Sequence, residues 1–159
     1  MPQSPGNGKR VVILLVEDDP GDQELTRRAL QGDLLRTDLQ IVENGEEALD
    51  YLYRRGRFAA REAAPRPDLI LLDLNMPRLG GREVLAHIKH DPELGRIPVV
   101  VLTTSTQETD IVKSYDLGCN SYIHKPVDIE QFIRVIRQLE NYWFELVTLP
   151  PIASEACAA

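Results

Sequence analysis

The sequence predicts an α/β fold, a doubly wound parallel sheet of five strands with five helices. Three apolar runs without period-2 alternation are typical of strands buried on both faces: Val11 to Val16, Leu69 to Leu72 and Pro98 to Thr103. Segments with helix-start signals separate these runs, so strands and helices alternate along the chain. Of the two common strand orders for such sheets, 2-1-3-4-5 suits a chain with five strands.

The first helix and the second strand follow the first apolar run. Asp19 and Pro20 form a helix start, with Asp as the N-cap and Pro at the first helical position. We expect this helix to reach about Leu30, with Leu25 and Ala29 facing inward. The run Leu39 to Val42 predicts a short second strand.

The second helix and an unusual connection come next. Asn44 to Glu47 resembles a capping box and predicts a helix that carries Ala48, Leu49 and Leu52. Residues 53–67 are rich in Arg, Ala, Gly and Pro. This stretch is longer than such connections usually are and predicts an inserted loop.

The second half of the chain repeats the alternation. A third helix is expected to carry Val84, Leu85 and Ile88. The capping box Ser105 to Glu108 begins a fourth helix that ends at Gly118, and Ser121 to His124 predicts the last strand. Asp128 caps a fifth helix, which we expect to continue to about Val147.

Composition limits the class of protein. The 159 residues suit one domain, which we place at residues 10–148, between a disordered arm at 1–9 and a disordered tail at 149–159. A net charge of −7 argues against nucleic acid, and the apolar runs are too short to span a bilayer. Cys119 and Cys157 lack metal-ligand or disulfide-framework spacing, and the first nine residues lack a signal peptide, so we expect a cytoplasmic protein.

Acidic residues follow two strands that should be neighbours. Glu17 and Asp18 end the first strand and Asp73 ends the third, and these ends meet at the switch point of a 2-1-3-4-5 sheet. Three carboxylates in one crevice repel one another unless a cation holds them, and Mg²⁺ (or Mn²⁺) prefers such oxygen ligands. Taken alone, Asp73 is better explained as a residue that caps the following turn than as a ligand or nucleophile. The acidic run 17–19 alone is explained equally well by helix capping and by metal binding.

The other strand ends add complementary groups. Thr103 ends the fourth strand with a hydroxyl, and Lys125 follows the fifth with a positive charge. Either residue alone is weak evidence, since most lysines are simply solvated. Together with the carboxylates they form a set suited to phosphoryl transfer, comprising a metal site, a nucleophile and donors for the phosphoryl oxygens.

Four motifs in this order resemble the response-regulator receiver domain of two-component signalling: V-E-D-D-P, L-D-L-N-M-P-R-L-G-G, V-L-T-T-S and Y-I-H-K-P. The resemblance implies a flavodoxin-like fold with Asp73 as phosphoacceptor for a histidine kinase, and a switch rather than an enzyme. It implies Mg²⁺ binding by Asp18, Asp73 and the Asn75 carbonyl, with Glu17 acting through water. It further implies that Thr103 and Tyr122 are switch residues, that Lys125 binds phosphate and that the Lys125-Pro126 bond is cis.

The resemblance narrows to single-domain regulators that serve bacterial phytochrome kinases. It rests on the 53–67 loop, the L-T-T-S form of the fourth strand and the final N-Y-W-F-E-L-V-T-L-P. Two departures from the general receiver pattern bear on metal affinity and on the lifetime of the phosphorylated state. Glu17 stands where Asp is commonest, and Thr104 stands where Ala or Gly is usual and narrows access to the phosphate.

Two other functions are open to this set of residues. A phosphohydrolase of the haloacid-dehalogenase type also forms an aspartyl phosphate, but it needs a second acid two residues after the nucleophile, where Asn75 stands. A receiver-like scaffold that is never phosphorylated is the other alternative, although every expected phosphorylation residue is present. The sequence does not identify the downstream protein.

The chain end predicts self-association. Consecutive aromatic residues on a helix face different directions, so part of the set Tyr142, Trp143, Phe144 and Leu146 should be exposed. Such a cluster suggests an interface, and a symmetric homodimer is the simplest closed assembly. The alternative is that this segment folds back onto its own domain.

Overall fold

The computed structural model describes residues 10–31, 36–60, 63–74, 76, 80–104 and 118–138. Five parallel strands form one sheet in the order β2-β1-β3-β4-β5, which confirms the predicted fold and strand order. The strands are β1 (Val11–Val16), β2 (Thr37–Val42), β3 (Leu69–Asp73), β4 (Val99–Thr103) and β5 (Ser121–His124). The α-helices of the described part are α1 (Pro20–Leu30), α2 (Gly45–Tyr53), α3 (Gly81–His90) and α4 (Ile129–Gln138).

The predicted helix count can be compared only in part. Helix α4 corresponds to the fifth helix expected from the sequence, and its continuation towards Val147 lies outside the described residues. The fourth predicted helix also falls outside them, in residues 105–117. Gly118, expected to end that helix, has φ +92°, a left-handed conformation that side chains other than glycine rarely adopt.

The central strands divide their side chains between two apolar cores. On β1, Leu14 and Val16 pack on the face covered by α2 and α3. The alternate residues Ile13 and Leu15 pack on the other face, beside Leu30 of α1 and Phe132 of α4. Both sets are buried, so the strand reads as a continuous apolar run, as expected for a sheet with helices on both faces.

Three of the predicted helix caps lie in the described residues and are confirmed, whereas the predicted box Ser105 to Glu108 lies outside them. Asp19 is the N-cap of α1 and its side chain accepts a hydrogen bond from the Asp22 N–H, with Pro20 at the first helical position. Asn44 caps α2 by accepting from the Glu47 N–H at 2.9 Å. Asp128 accepts from the Gln131 N–H at 2.8 Å at the start of α4. Short polar side chains thus fix where these three helices begin.

One inward residue of α1 was predicted wrongly. Leu25 is 48% exposed, whereas Thr26 and Leu30, four residues apart, are buried on the face that meets the sheet. The predicted inward residue Ala29 lies beside them, partly buried against the same core. The entry of the helix from its Asp19 cap sets the buried stripe, and the most apolar residue in its middle lies off that stripe.

The connection between α2 and β3 packs against the domain in its described part. Tyr51 donates its hydroxyl to the Pro65 carbonyl at 2.6 Å, and the Phe58 ring meets the Tyr51 ring edge-on at 5.2 Å. The Nε of Arg54 donates to the carbonyl of Ala64, which is buried. The predicted insertion is therefore tied to α2 by side chains of α2 and its C-cap.

None of the helices in these described segments combines the length and apolar character needed to cross a membrane.

Candidate functional site

Strand register brings the predicted carboxylates to one level at the carboxyl edge of the sheet. Val16 of β1 pairs with Leu72 of β3, so the next residues along the two strands, Glu17 and Asp73, lie side by side. Carboxylate oxygens of Glu17, Asp18 and Asp73 lie within 4.8 Å of one another. Glu17 is 0% and Asp73 4% exposed, whereas Asp18 is reached by solvent. Two buried acids and one accessible acid therefore face one crevice.

Lys125 completes the cluster from the far side of the sheet. Its ammonium pairs with Glu17, lies 3.2 Å from the Oδ2 of Asp73 and is itself only 8% exposed. Its backbone N–H donates to the Thr103 carbonyl at 3.0 Å, which ties the segment after β5 to the end of β4. The Lys125-Pro126 peptide bond is cis, as predicted.

Thr103 and Tyr122, the predicted switch residues, lie on the neighbouring strands β4 and β5. Asp73 pairs with Leu102, so Thr103 stands one residue further along the neighbouring strand and is 2% exposed. Tyr122 is half-buried against the core on the α2 and α3 side, and its ring meets His124 edge-on at 5.4 Å. Thr104 lies just beyond β4 and is exposed.

Burial and mutual repulsion change the acid-base behaviour of the cluster. Burial, reinforced by the neighbouring Asp73 carboxylate, raises the pKa of Glu17 to about 7 against the opposing effect of Lys125. Burial also disfavours the charge of Lys125, but its contacts with Glu17 and Asp73 outweigh that cost and hold its pKa above the ordinary value. Lys125 is thus the fixed positive charge of this site.

The site offers the oxygen donor atoms that a hard divalent cation prefers. Three converging carboxylates supply oxygen ligands, and the accessible Asp18 leaves an open side for water or a phosphate oxygen. Asn75, predicted to add a carbonyl ligand, lies outside the described residues, as do Tyr142, Trp143, Phe144 and Leu146 of the predicted interface.

Two contributors to the site were missed at the level of sequence. Asp22, in the first turn of α1, places its Oδ2 3.1 Å from the Lys125 ammonium. Gly81, the first residue of α3, lies so close to the backbone of Asp73 that an added Cβ would stand 2.3 Å from the Asp73 carbonyl oxygen. The doubled glycine before α3 was the available signal for the second, and no local pattern pointed to the first.

The geometry agrees with a family match that covers most of the chain. The model of the response regulator receiver domain matches residues 13–137. The chain belongs to the response regulator receiver family. Receiver domains bind Mg²⁺ or Mn²⁺ at this acidic pocket, and the Glu17, Asp18 and Asp73 cluster has the ligands to do so. The haloacid-dehalogenase alternative is thereby set aside.

Among the relatives of this chain are response regulators of phytochrome systems. The response regulator Rcp1 of Synechocystis sp. PCC 6803 is 45% identical over 139 residues, which are 87% of this chain and 92% of Rcp1. An Mn²⁺-bound structure of Rcp1 has a TM-score of 0.68 at 45% identity, covering 89% of this chain and 99% of that one.

Two further structures show the same relationship. The phosphorylated cyanobacterial phytochrome response regulator RcpA has a TM-score of 0.71 at 46% identity and covers 90% of this chain and 100% of its own. The bacteriophytochrome response regulator RtBRR has a TM-score of 0.76 at 45% identity, over 94% of this chain and 89% of that one. This receiver is therefore related to phytochrome response regulators.

Proposed function

We propose that this receiver accepts a phosphoryl group on Asp73 from the phosphohistidine of a phytochrome-type histidine kinase. The phosphorus–nitrogen bond of the donor breaks, a bond forms between phosphorus and an Asp73 oxygen, and the imidazole leaves with the electron pair. The observation that carries the proposal is the position of Asp73, a buried carboxylate that clusters with Glu17 and Asp18 and lies 3.2 Å from the Lys125 ammonium.

Each neighbouring residue has a defined role in the proposal. Asp18, Asp73 and the Asn75 carbonyl would hold Mg²⁺ directly and Glu17 would do so through water, and the bound ion would supply positive charge to offset that of the transferring phosphoryl group. Lys125 donates to a phosphoryl oxygen, and Thr104 narrows access to it. The product is a modified receiver rather than a released metabolite, so the protein is a switch and not an enzyme with an external substrate.

The signal is proposed to leave through β4 and β5. A phosphoryl group on Asp73 adds acceptors that draw the Thr103 hydroxyl inward, and Tyr122 moves into the space that Thr103 vacates. That movement alters the surface beside β5 and α4, which a downstream protein then recognises. Half-burial leaves Tyr122 in contact with both the core and the outside.

We propose that the protein is cytoplasmic and that its receiver domain spans residues 10–148. Self-association is proposed through Tyr142, Trp143, Phe144 and Leu146, because adjacent aromatic residues form a cluster too large for one core-facing stripe. Light scattering on the intact chain and on a truncation after Asn141 tests this directly. A dimer that becomes a monomer on truncation supports the interface, and an intact chain that is monomeric at micromolar concentration, with and without phosphodonor, contradicts it.

Incubation with acetyl phosphate and Mg²⁺ followed by intact mass measurement tests the phosphoacceptor. The wild-type chain should gain one phosphoryl group, and both Asp73→Asn and a chelator should prevent the gain. Asp50→Asn is the matched control, because Asp50 lies on α2, its side chain is 45% exposed and it pairs with Arg55. Full labelling of Asp73→Asn, or no labelling of the wild type, would contradict the proposal that Asp73 is the phosphoacceptor.

A further inference from the structure

The ammonium of Lys125 is shared among three carboxylates, one of which comes from α1. It pairs with Glu17, and it lies 3.2 Å from Asp73 Oδ2 and 3.1 Å from Asp22 Oδ2. Glu17 and Asp73 are buried, whereas the side chain of Asp22 is 31% exposed. Lys125 and Asp22 are 103 residues apart in the chain, so only the fold brings them together.

Local contacts fix the position of Asp22. Its backbone N–H donates to the side chain of Asp19, the N-cap of α1. The next residue, Gln23, donates its side-chain amide to the Glu17 carbonyl at 2.7 Å, which holds this turn of α1 against the end of β1. The carboxylate of Asp22 is therefore presented to Lys125 by a turn anchored at two points.

Lys125 does not depend on Asp22 to stay in the site. Its two buried partners already hold the ammonium beside Asp73, and its side chain is 8% exposed. A third carboxylate adds attraction to the same ammonium and accepts a hydrogen bond from it at 3.1 Å. A phosphoryl oxygen on Asp73 would need an N–H of this same ammonium, which has only three to give.

We propose that Asp22 is a positioning residue that competes with the phosphoryl group for Lys125, and so slows phosphorylation of Asp73. The inference rests on the proposed function, because it concerns the same lysine and the same acceptor. In the resting state Asp22 holds one ammonium N–H. As the phosphoryl group arrives, that N–H turns to a phosphoryl oxygen, and water solvates the partly exposed Asp22 carboxylate at little cost.

The test is the initial rate of phosphorylation by acetyl phosphate with Mg²⁺, followed by intact mass. Asp22→Asn keeps the size of the side chain and removes its charge, and we expect it to accelerate labelling about two- to fivefold, the range for a partly exposed ion pair. Glu24→Gln is the matched control on the same helix, because Glu24 pairs with Arg27 and Arg28 instead, and its rate should equal that of wild type.

A second comparison separates action through Lys125 from simple repulsion of the incoming anion. In a Lys125→Met background, Asp22→Asn should no longer change the rate. Acceleration that persists there, or an Asp22→Asn rate at or below that of wild type, overturns the inference. If Lys125→Met blocks labelling altogether, the difference between Asp22→Asn and Glu24→Gln decides. Failure of wild type to label would instead refute the proposed function itself.

Discussion

Replacing Gly81 by alanine should push α3 away from the phosphoacceptor strand. An added Cβ would stand 2.3 Å from the Asp73 carbonyl oxygen, 2.7 Å from the Leu74 Cα and 3.0 Å from the Asp73 carbonyl carbon. All three are backbone atoms in a buried region, so no side chain can rotate to make room. Ordinary contact begins near 3.4 Å, and the start of α3 would have to retreat by about 1 Å.

The expected cost follows from that retreat. Overpacking of a well-packed interior costs about 1–3 kcal/mol, and Val84, Leu85 and Ile88 of α3 are all 0% exposed, so the helix cannot shift without loosening the core beneath it. Alanine recovers at most about 1 kcal/mol by restricting the unfolded chain. We therefore expect the free energy of unfolding to fall by up to about 2 kcal/mol.

Urea unfolding with Gly80→Ala as the control measures this cost. Gly80 is the N-cap of α3 and has nothing within 4 Å of an added Cβ, so the same chemical change one residue earlier meets no backbone and costs only the weaker N-cap preference of alanine. The Gly81→Ala midpoint should be lower, and its phosphorylation by acetyl phosphate slower, because Asp73 itself is displaced. Equal midpoints for the two variants would refute the reasoning.

Three further outcomes are expected. Thr103→Ala should still accept a phosphoryl group, but the amide chemical shifts of β5 should no longer respond to phosphodonor. A response equal to that of wild type would mean that the movement of Tyr122 does not depend on Thr103. Tyr51→Phe removes the buried hydrogen bond to Pro65 and should lower the free energy of unfolding by about 1 kcal/mol, more than Tyr53→Phe at a 40% exposed position, as urea unfolding would show. Burial raises the pKa of the Cys119 thiol from 9.0 to about 11, so the thiol of the unfolded chain ionises first as the pH rises. The stability that this thiol contributes below pH 9 is therefore lost between pH 9 and 11. Over that range the free energy of unfolding of Cys119→Ala should fall less steeply than that of wild type, by about 1.4 kcal/mol per pH unit, and parallel slopes would contradict this.

The strand order and the main site were predictable because both depend on the ends of buried strands. Apolar runs mark β1, β3 and β4 without ambiguity, and parallel strands deliver the residues after them to one edge of the sheet. Glu17, Asp73 and Thr103 therefore meet in the structure as the pattern of runs implies. Local caps were equally legible, since a side chain that accepts from a backbone N–H three residues on needs no distant partner.

The residues that the sequence analysis placed wrongly or missed depend on how helices pack against the sheet. Leu25 was placed inward from its apolarity, but its exposure depends on the angle at which α1 meets the sheet. The clearance at Gly81 depends on how close α3 comes to β3, and the role of Asp22 depends on a lysine 103 residues away. Each is decided by packing between elements, on which the local sequence carries little information.

The contact of Asp22 with Lys125 also changes the charge balance of the site. When all groups are ionised, four carboxylates, Glu17, Asp18, Asp22 and Asp73, face one ammonium, which leaves three net negative charges in a partly buried crevice. Burial, with the Asp73 carboxylate adding to it, raises the pKa of Glu17 to about 7, and protonation of Glu17 removes one of these charges. A bound divalent cation would remove two, and a dianionic phosphoryl group would then meet a site that is close to neutral. The same carboxylates that would bind the cation also hold Lys125 in place. In the proposed mechanism, a bound cation would therefore weaken their attraction for the lysine and help to release it to the phosphoryl group.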